Sequence, residues 1–145
     1  MKKFFKISAL VLAVVLVSGC GSKGKVLTCT MSEKESGMEI SETVKITFES
    51  DKATKYSKVE KVVVDKKYKE YISTFAKSAE NQYKAFKNEK GVTYKVTTKS
   101  NEVKVTFDAD LTKASKTVKE ELSVDQKATY AETKKAATDA GFKCK

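Results

Sequence analysis

The clearest pattern in the chain is the alternation of apolar and polar residues between positions 38 and 49. One side of this stretch is polar throughout. The other side carries Met38, Ile40, Val44, Ile46 and Phe48. A period of two with one apolar side predicts a β-strand in a sheet that is covered on one face. Glu42 interrupts the apolar side, and we expect it to lie near the edge of that face.

A similar alternation predicts one strand before this one and one after it. Val26–Met31 puts Cys29 and two other apolar residues on one side. Lys55–Val64 alternates less cleanly, which is compatible with a β-bulge. Turns at 32–37 and 51–54 separate the three strands.

The next stretch has apolar residues at helical rather than strand spacing. They are Tyr68, Tyr71, Ile72, Phe75, Ala76, Ala79, Tyr83 and Phe86. At about 100° per residue they fall within an arc of about 140°, which predicts a long amphipathic helix from Lys66 to Lys87. Asp65 is the expected N-cap. We interpret the tyrosines as core or core-edge residues rather than as a row that stacks on a ligand.

The second half of the chain predicts a hairpin followed by a closing helix. Val92–Lys99 and Glu102–Asp108 form the hairpin, whose register puts Tyr94 opposite Phe107. Residues 111–122 predict at most a short helical turn.

The closing helix begins after Thr129 and ends near Ala140. Thr129 and Glu132 have the spacing of a capping box, and Gly141 is the expected left-handed stop.

These elements follow one another in the order β-β-β-α-β-β-α. Short turns predict an antiparallel sheet, and both helices are needed to cover its apolar face. We therefore expect an α+β fold, a two-layer sandwich of about five antiparallel strands covered on one face by two helices. The length fits a single domain at 26–145.

The first twenty residues predict where the protein works. Lysines precede an apolar run at 7–17, and Val17-Ser18-Gly19 leads directly into Cys20. This arrangement is typical of a bacterial lipoprotein signal, which predicts removal of residues 1–19 and a diacylglycerol on the Cys20 sulfur. The alternatives are an ordinary secretory signal and a membrane-spanning helix, which needs about 20 apolar residues. We expect residues 20–25 to tether the domain to the outer side of the cell membrane.

The charge of the chain is strongly basic, with 29 lysines against 19 acidic residues and a formal net charge of +10. Without the leader the net charge is +7, since three of the lysines precede residue 20. This charge is compatible with attraction to anionic wall polymers or lipid headgroups. The lysines alternate with Glu and Ser, which favours a solubilising surface of mixed sign. Lysine used in place of arginine also fits an AT-rich Gram-positive host.

Missing residue types exclude several kinds of site. Without histidine there is no Ser-His-Asp or Cys-His arrangement and no usual zinc site, and without arginine there is no bidentate clamp for phosphate. The chain has no Gly-rich phosphate loop and no nucleic-acid motif. Asp108 and Asp110 are the nearest candidates for a catalytic carboxylate pair, but we interpret them as a polar exit from a strand. We therefore predict no catalytic residue, no metal, no cofactor and no nucleic-acid partner.

Cys29 and Cys144 are the cysteines that remain once Cys20 carries lipid. Cys29 faces the predicted core from the first strand, and Cys144 follows the last helix. The expected compartment permits oxidation, so we predict a disulfide that ties the two ends of the domain together. The alternative is one buried thiol and one free thiol.

Several of these features together resemble the small bacterial YehR-like lipoproteins. They are the Val17–Cys20 signal, the alternating strand at Val44–Phe48, the middle helix and the Ala140-Gly141-Phe142 ending. The resemblance covers most of the chain after the leader. It implies a two-layer α/β sandwich on a lipid anchor, and it supplies no activity and no catalytic residues.

From these observations we expect a non-enzymatic lipoprotein that is held at the membrane through Cys20 and interacts with an envelope component, such as another protein. The alternative is a module that binds a small solute or an anionic wall polymer through its basic surface. An enzyme is the least favoured class, because histidine and arginine are missing.

Overall fold

The structure is a computed structural model that describes residues 24–145, so the leader and Cys20 lie outside the described residues. The strands are β1 (Lys25–Glu35), β2 (Met38–Glu49), β3 (Lys52–Val64), β4 (Val92–Thr98), β5 (Glu102–Asp110) and β6 (Lys143–Cys144). The helices are α1 (Ile72–Tyr83), α2 (Lys116–Glu121) and α3 (Tyr130–Asp139). The strands form an antiparallel sheet in the order β4-β5-β3-β2-β1-β6.

The expected architecture of about five strands covered by two helices is wrong. Residues 24–145 form six strands and three α-helices, in the order β1-β2-β3-α1-β4-β5-α2-α3-β6. The additional strand β6 has two residues, which are too few for an alternation pattern, and it forms where Cys144 pairs with Cys29 of β1. The additional helix α2 is capped by the Ser115 side chain, which accepts a hydrogen bond from the Val118 N–H.

The long helix expected at 66–87 is interrupted at both ends. Lys66–Tyr71 and Lys84–Phe86 form 3-10 helix on either side of α1. The Asp65 side chain makes no capping hydrogen bond, and a tighter first turn leaves fewer N–H groups without a partner. Tyr71, which we expected at the edge of the core, is about half exposed. The α-helical part of the cover is therefore shorter than the pattern predicted.

Two local predictions are confirmed. Tyr94 lies opposite Phe107 in the β4–β5 hairpin. Thr129 and Glu132 form the capping box at the start of α3. The bulge expected within 55–64 is wrong, because β3 pairs with β2 without a shift from Lys55 to Val64, and the one register shift in this pairing lies just before Lys55, opposite Thr47 and Phe48. The two confirmed features depend on residues that are close in sequence or on the pairing of adjacent strands.

The core lies between one face of the sheet and the helices. The largest fully buried side chains are Phe48, Phe107, Leu27, Leu111 and Val118. Helix α1 packs on β4 and β5, and α3 packs on β1 and β6. The central strands β2 and β3 lie between these two contacts, and Val44 and Val62 on their inner face are only partly buried. The helices thus leave a strip of the covered face partly open.

Candidate functional site

Three charged side chains lie in this strip, on the helix-facing side of the sheet. Glu42 is on β2, and Lys58 and Glu60 are on β3. Glu42 pairs directly with Glu60, and Lys58 pairs with Val44. Each glutamate is 8% exposed, although the surrounding face is mainly apolar. We call Glu42, Lys58 and Glu60 the charged triad.

Lys58 is the centre of the charged triad. Its Nζ lies 3.4 Å from Oε1 of Glu42 and 3.1 Å from Oε2 of Glu60. Two carboxylates on directly opposite strand positions repel each other, and the ammonium between them offsets this repulsion. Burial alone would lower the pKa of Lys58, but the two carboxylates raise it above its ordinary value. The side chain is therefore charged at neutral pH, where a lysine acting as general base would need to lose its proton.

Two tyrosines stand beside the charged triad. Tyr56 comes from β3, and Tyr83 is the last residue of α1. Burial raises the pKa of both hydroxyls, against the opposing effect of the Lys58 charge. The rings lie 6.3 Å and 5.4 Å from the ring of Phe107, measured between centroids. The site thus combines a charged floor with neutral hydroxyls and aromatic rings.

A cavity of about 430 Å³ opens above Glu42 and Lys58 of the charged triad, between the end of α1 and α2. Its floor includes Glu42, Tyr56 and Lys58, its wall includes Tyr83 and Phe86, and Glu89 and Glu121 line it from the more exposed side. The space is left because α1 ends at Tyr83 and α2 has only six residues. Its volume falls in the range of about 300–1,000 Å³ that is common for small-molecule sites.

The charge of this cavity is opposite in sign to that of the chain. Carboxylates of Glu42, Glu89 and Glu121 line it, together with the single ammonium of Lys58. The chain as a whole carries a net charge of +10. The cavity is therefore an acidic concavity in a basic protein.

A second concavity, which is more open, lies between α1 and the edge strand β4. It has a volume of about 620 Å³, and its charged lining residues are Glu80, Lys84, Lys87 and Lys95. This basic groove differs from the cavity because no buried charge lies among its lining residues.

Most residues of this site were not identified from the sequence pattern. The expectation that Glu42 lies near the edge of the apolar face is wrong, because β2 is flanked by β1 and β3. Lys58 and Glu60 were not singled out. The available signal was their position in step with Tyr56 and Val64, which puts all four on the side of the strand that faces the core.

Asp108 and Asp110 lie on the opposite side of the sheet from the charged triad. Asp108 pairs with Ser57 and is exposed. Asp110 accepts hydrogen bonds from Thr112 and pairs with Lys113 at 2.7 Å, and these hydrogen bonds lower its pKa to about 2. The two carboxylates thus occupy the end of β5 and the turn after it, and they do not share a cleft with the charged triad.

The Sγ atoms of Cys29 and Cys144 lie at bonding distance, 2.05 Å apart, and join β1 to β6. Lys145 adds two backbone hydrogen bonds to Thr28, one donated and one accepted. The bond spans 115 positions of sequence and connects the first and last strands of the fold.

Within residues 24–145, no group of three or more Cys, Asp or Glu side chains is placed to hold a metal ion. No helix in this part of the chain combines the length and the hydropathy that crossing a membrane requires.

The comparisons with known proteins show a shared fold. The NMR structure of the YehR protein of E. coli is 21% identical, covers 86% of this chain and 93% of that one, and has a TM-score of 0.60. The NMR structure of a protein from Streptococcus pneumoniae TIGR4 is 16% identical, covers 96% of both chains and has a TM-score of 0.53. No protein-family model and no curated protein matches the chain. At these identities the two structures indicate the fold and nothing more.

Proposed function

We propose that the protein is a YehR-like, lipid-anchored lipoprotein on the outer side of the cell membrane, and that its domain binds a small polar solute in the cavity above the charged triad. Binding, rather than catalysis, is the activity of this site. The anchor is the lipid on Cys20, and four residues connect it to the start of β1 at Lys25.

The observation that carries this proposal is the presence of the charged triad beneath a cavity of ligand size. Burying an ion pair is costly, and apolar residues of similar volume in its place often leave a protein equally or more stable. Stability therefore gives little reason to keep Glu42, Lys58 and Glu60 in the middle of a sheet. A polar floor for a ligand gives such a reason, since binding sites combine apolar walls with a few placed polar groups.

The chemistry of the cavity supports binding over proton transfer. A general acid or base works best with a pKa near the operating pH. The pKa values of Lys58, Tyr56 and Tyr83 are all displaced upward, away from neutrality. The chain also lacks histidine, which is the most frequent group for this work.

The test of the binding site is a solute screen by NMR on the mature protein in detergent micelles. We expect cationic, neutral or anionic members of a mixed library to shift amide signals around Tyr83 and Phe86. The variant Thr117→Trp, which fills the cavity from α2, abolishes these shifts. The matched variant Ser73→Trp, at an exposed position on α1, leaves them intact. The proposal is wrong if no solute shifts these signals, or if the shifts survive Thr117→Trp.

The test of the anchor is the variant Cys20→Ala. We expect lipid mass on Cys20 and loss of residues 1–19 in the wild-type protein, and neither in the variant, as measured by mass spectrometry. A wild-type protein that carries no lipid on Cys20 contradicts the lipid anchor.

A second candidate function is binding of an anionic wall polymer along the basic groove. Its supporting observation is the convergence of Lys84, Lys87 and Lys95 beside an edge strand. Exchanging these three lysines for Gln removes the polymer binding that is seen at low salt, whereas exchanging Lys66, Lys67 and Lys69 leaves it. Equal losses from both triple variants would make the binding a nonspecific effect of net charge.

A further inference from the structure

We infer that the ligand of the cavity is a small organic cation, with an ammonium group attracted by Glu89 and Glu121 against the rings of Tyr83 and Phe86. This inference rests on the proposed function, because it assigns the ligand class of the same cavity.

The first argument concerns the donors of Lys58. An ammonium has three N–H donors. In this site the Lys58 ammonium is paired with two carboxylates of the protein, those of Glu42 and Glu60. An anionic ligand would have to compete with both carboxylates for it. The lysine therefore completes the floor of the cavity and does not offer a free anion site.

The second argument concerns the acceptors. Within residues 24–145, no lysine lies within 4.0 Å of the carboxylates of Glu89 or Glu121. A carboxylate has about four lone-pair sites, so Glu89 and Glu121 can each accept from a ligand that carries donors. Gln82 and Thr117 add only neutral polar groups. The cavity thus offers unneutralised negative charge to a ligand that carries donors.

The third argument concerns the aromatic wall, which is independent of the carboxylates. Tyr83 and Phe86 line the cavity, and their ring centroids are 6.4 Å apart. The faces of such rings attract cations, and the attraction grows when the cation is desolvated. Both rings also contact Phe107, so the core holds the wall in position. An ammonium ion bearing a short carbon chain satisfies the rings and the carboxylates together.

The test uses three probes with the same carbon chain and different charge: n-butylammonium, n-butanol and butyrate. Binding is followed by NMR shifts of the amides around Tyr83 and Phe86, in the mature protein in detergent micelles. We expect n-butylammonium to bind about tenfold more tightly than n-butanol, which corresponds to about 1.4 kcal/mol. We expect butyrate to produce no shifts in the cavity.

The variant pair Glu89→Gln and Glu121→Gln removes two charges from the outer part of the cavity while the charged triad stays intact. We expect it to weaken n-butylammonium binding to the level of n-butanol, whose own binding does not change. The control Glu33→Gln and Glu35→Gln removes the same charge from exposed positions on β1 and leaves binding unchanged.

The outcomes separate this inference from the proposed function. If n-butanol or butyrate shifts the cavity signals as strongly as n-butylammonium, the cation class is wrong and the cavity remains a binding site. If n-butylammonium shifts signals across the whole surface, or shifts that Thr117→Trp does not remove, the cavity is not its site and the cation class is wrong, and the mixed solute screen decides the proposed function. If no probe shifts any cavity signal, the cation class is wrong, and the mixed solute screen decides the proposed function.

Discussion

The neighbouring strands β3 and β5 present opposite chemistry on the same face of the sheet. On β5 the inward residues Val103, Val105, Phe107 and Ala109 are all apolar and buried. On β3, Lys58 lies opposite Phe107 and Glu60 lies opposite Val105. The backbone environment of the two strands is alike, but α1 covers β5 more closely than β3. Where α1 covers the sheet, the inward residues are apolar. Where helices cover it only in part, the sheet carries charged residues beneath a cavity.

This difference indicates that β5 contributes mainly to the stability of the fold and that β3 contributes mainly to the proposed binding site. The apolar row of β5 stabilises the fold by burial, which is worth about 25 cal/mol per Å² of apolar area. The charged row of β3 contributes little to stability as a set, because desolvation opposes the attraction within it. Substitutions on the two strands should therefore separate folding from binding.

The largest expected effect is loss of packing on β5. Phe107→Ala should lower the free energy of unfolding by about 3–5 kcal/mol, because Phe107 is fully buried and contacts the rings of Tyr56, Tyr83 and Phe86. Urea denaturation measures this loss. Asp108→Ala, at an exposed position on the other side of the same strand, is the control and should change stability by less than about 0.5 kcal/mol. Similar losses from the two variants would contradict the assignment of β5 as the apolar core.

The next effect comes from breaking the charged triad. Lys58→Met should lower the free energy of unfolding by about 3 kcal/mol, because it leaves two carboxylates facing each other without the ammonium between them. Exposed Lys45→Met is the control, again followed by urea denaturation. A loss no larger than that of the control would show that the ammonium does not hold the carboxylates together.

Replacing the whole charged triad should have the opposite sign. The triple variant Glu42→Leu, Lys58→Met and Glu60→Leu should be as stable as the wild type or more stable, by up to about 1–4 kcal/mol, because no buried charge is left without a partner. The same variant should lose solute binding in the cavity. A triple variant that is less stable than the wild type would mean that the triad stabilises the fold.

The smallest effect is a dependence on alkaline pH. The pKa of Lys58 is raised on folding, so the stabilisation from its charge is complete below about pH 10.4, the unfolded value, and is lost as the pH rises through the folded value. The raised pKa values of Tyr56 and Tyr83 act in the same direction above about pH 10. The stability difference between the wild type and Lys58→Met should therefore shrink by up to about 1.4 kcal/mol per pH unit above pH 10.4. A difference that stays constant to pH 11.5, measured by urea denaturation, would contradict the raised pKa of Lys58.

The sequence was most informative where the determining interactions are local. The alternation of β2 identified that strand with its bounds at Met38 and Glu49, and the capping box at Thr129 identified the start of α3. The pairing of Tyr94 with Phe107 followed from a short hairpin, whose turn limits the register. In each case a few neighbouring residues determine the outcome.

The sequence was least informative where distant segments meet. β6 exists because two residues at the end of the chain pair with β1, and no pattern of two residues predicts that. The charge of Glu42 predicted a place near the edge of the apolar face, yet Glu42 is paired there with Lys58 of the neighbouring strand, which also contacts Glu60. The cavity depends on how far the helices extend over the sheet, which helical periodicity does not determine.

The bond between Cys29 and Cys144 has a mechanical consequence for the proposed attachment of the domain through Cys20. A force applied at Lys25 can separate only Lys25–Thr28 from the sheet before the disulfide at Cys29 resists it. Beyond Cys29, removing β1 also requires removing β6, and tension is shared between both ends of the chain. The cavity lies over β2 and β3, beyond the cross-link as seen from Lys25. A force applied at Lys25 can therefore be carried by the cross-link without distorting the proposed ligand site.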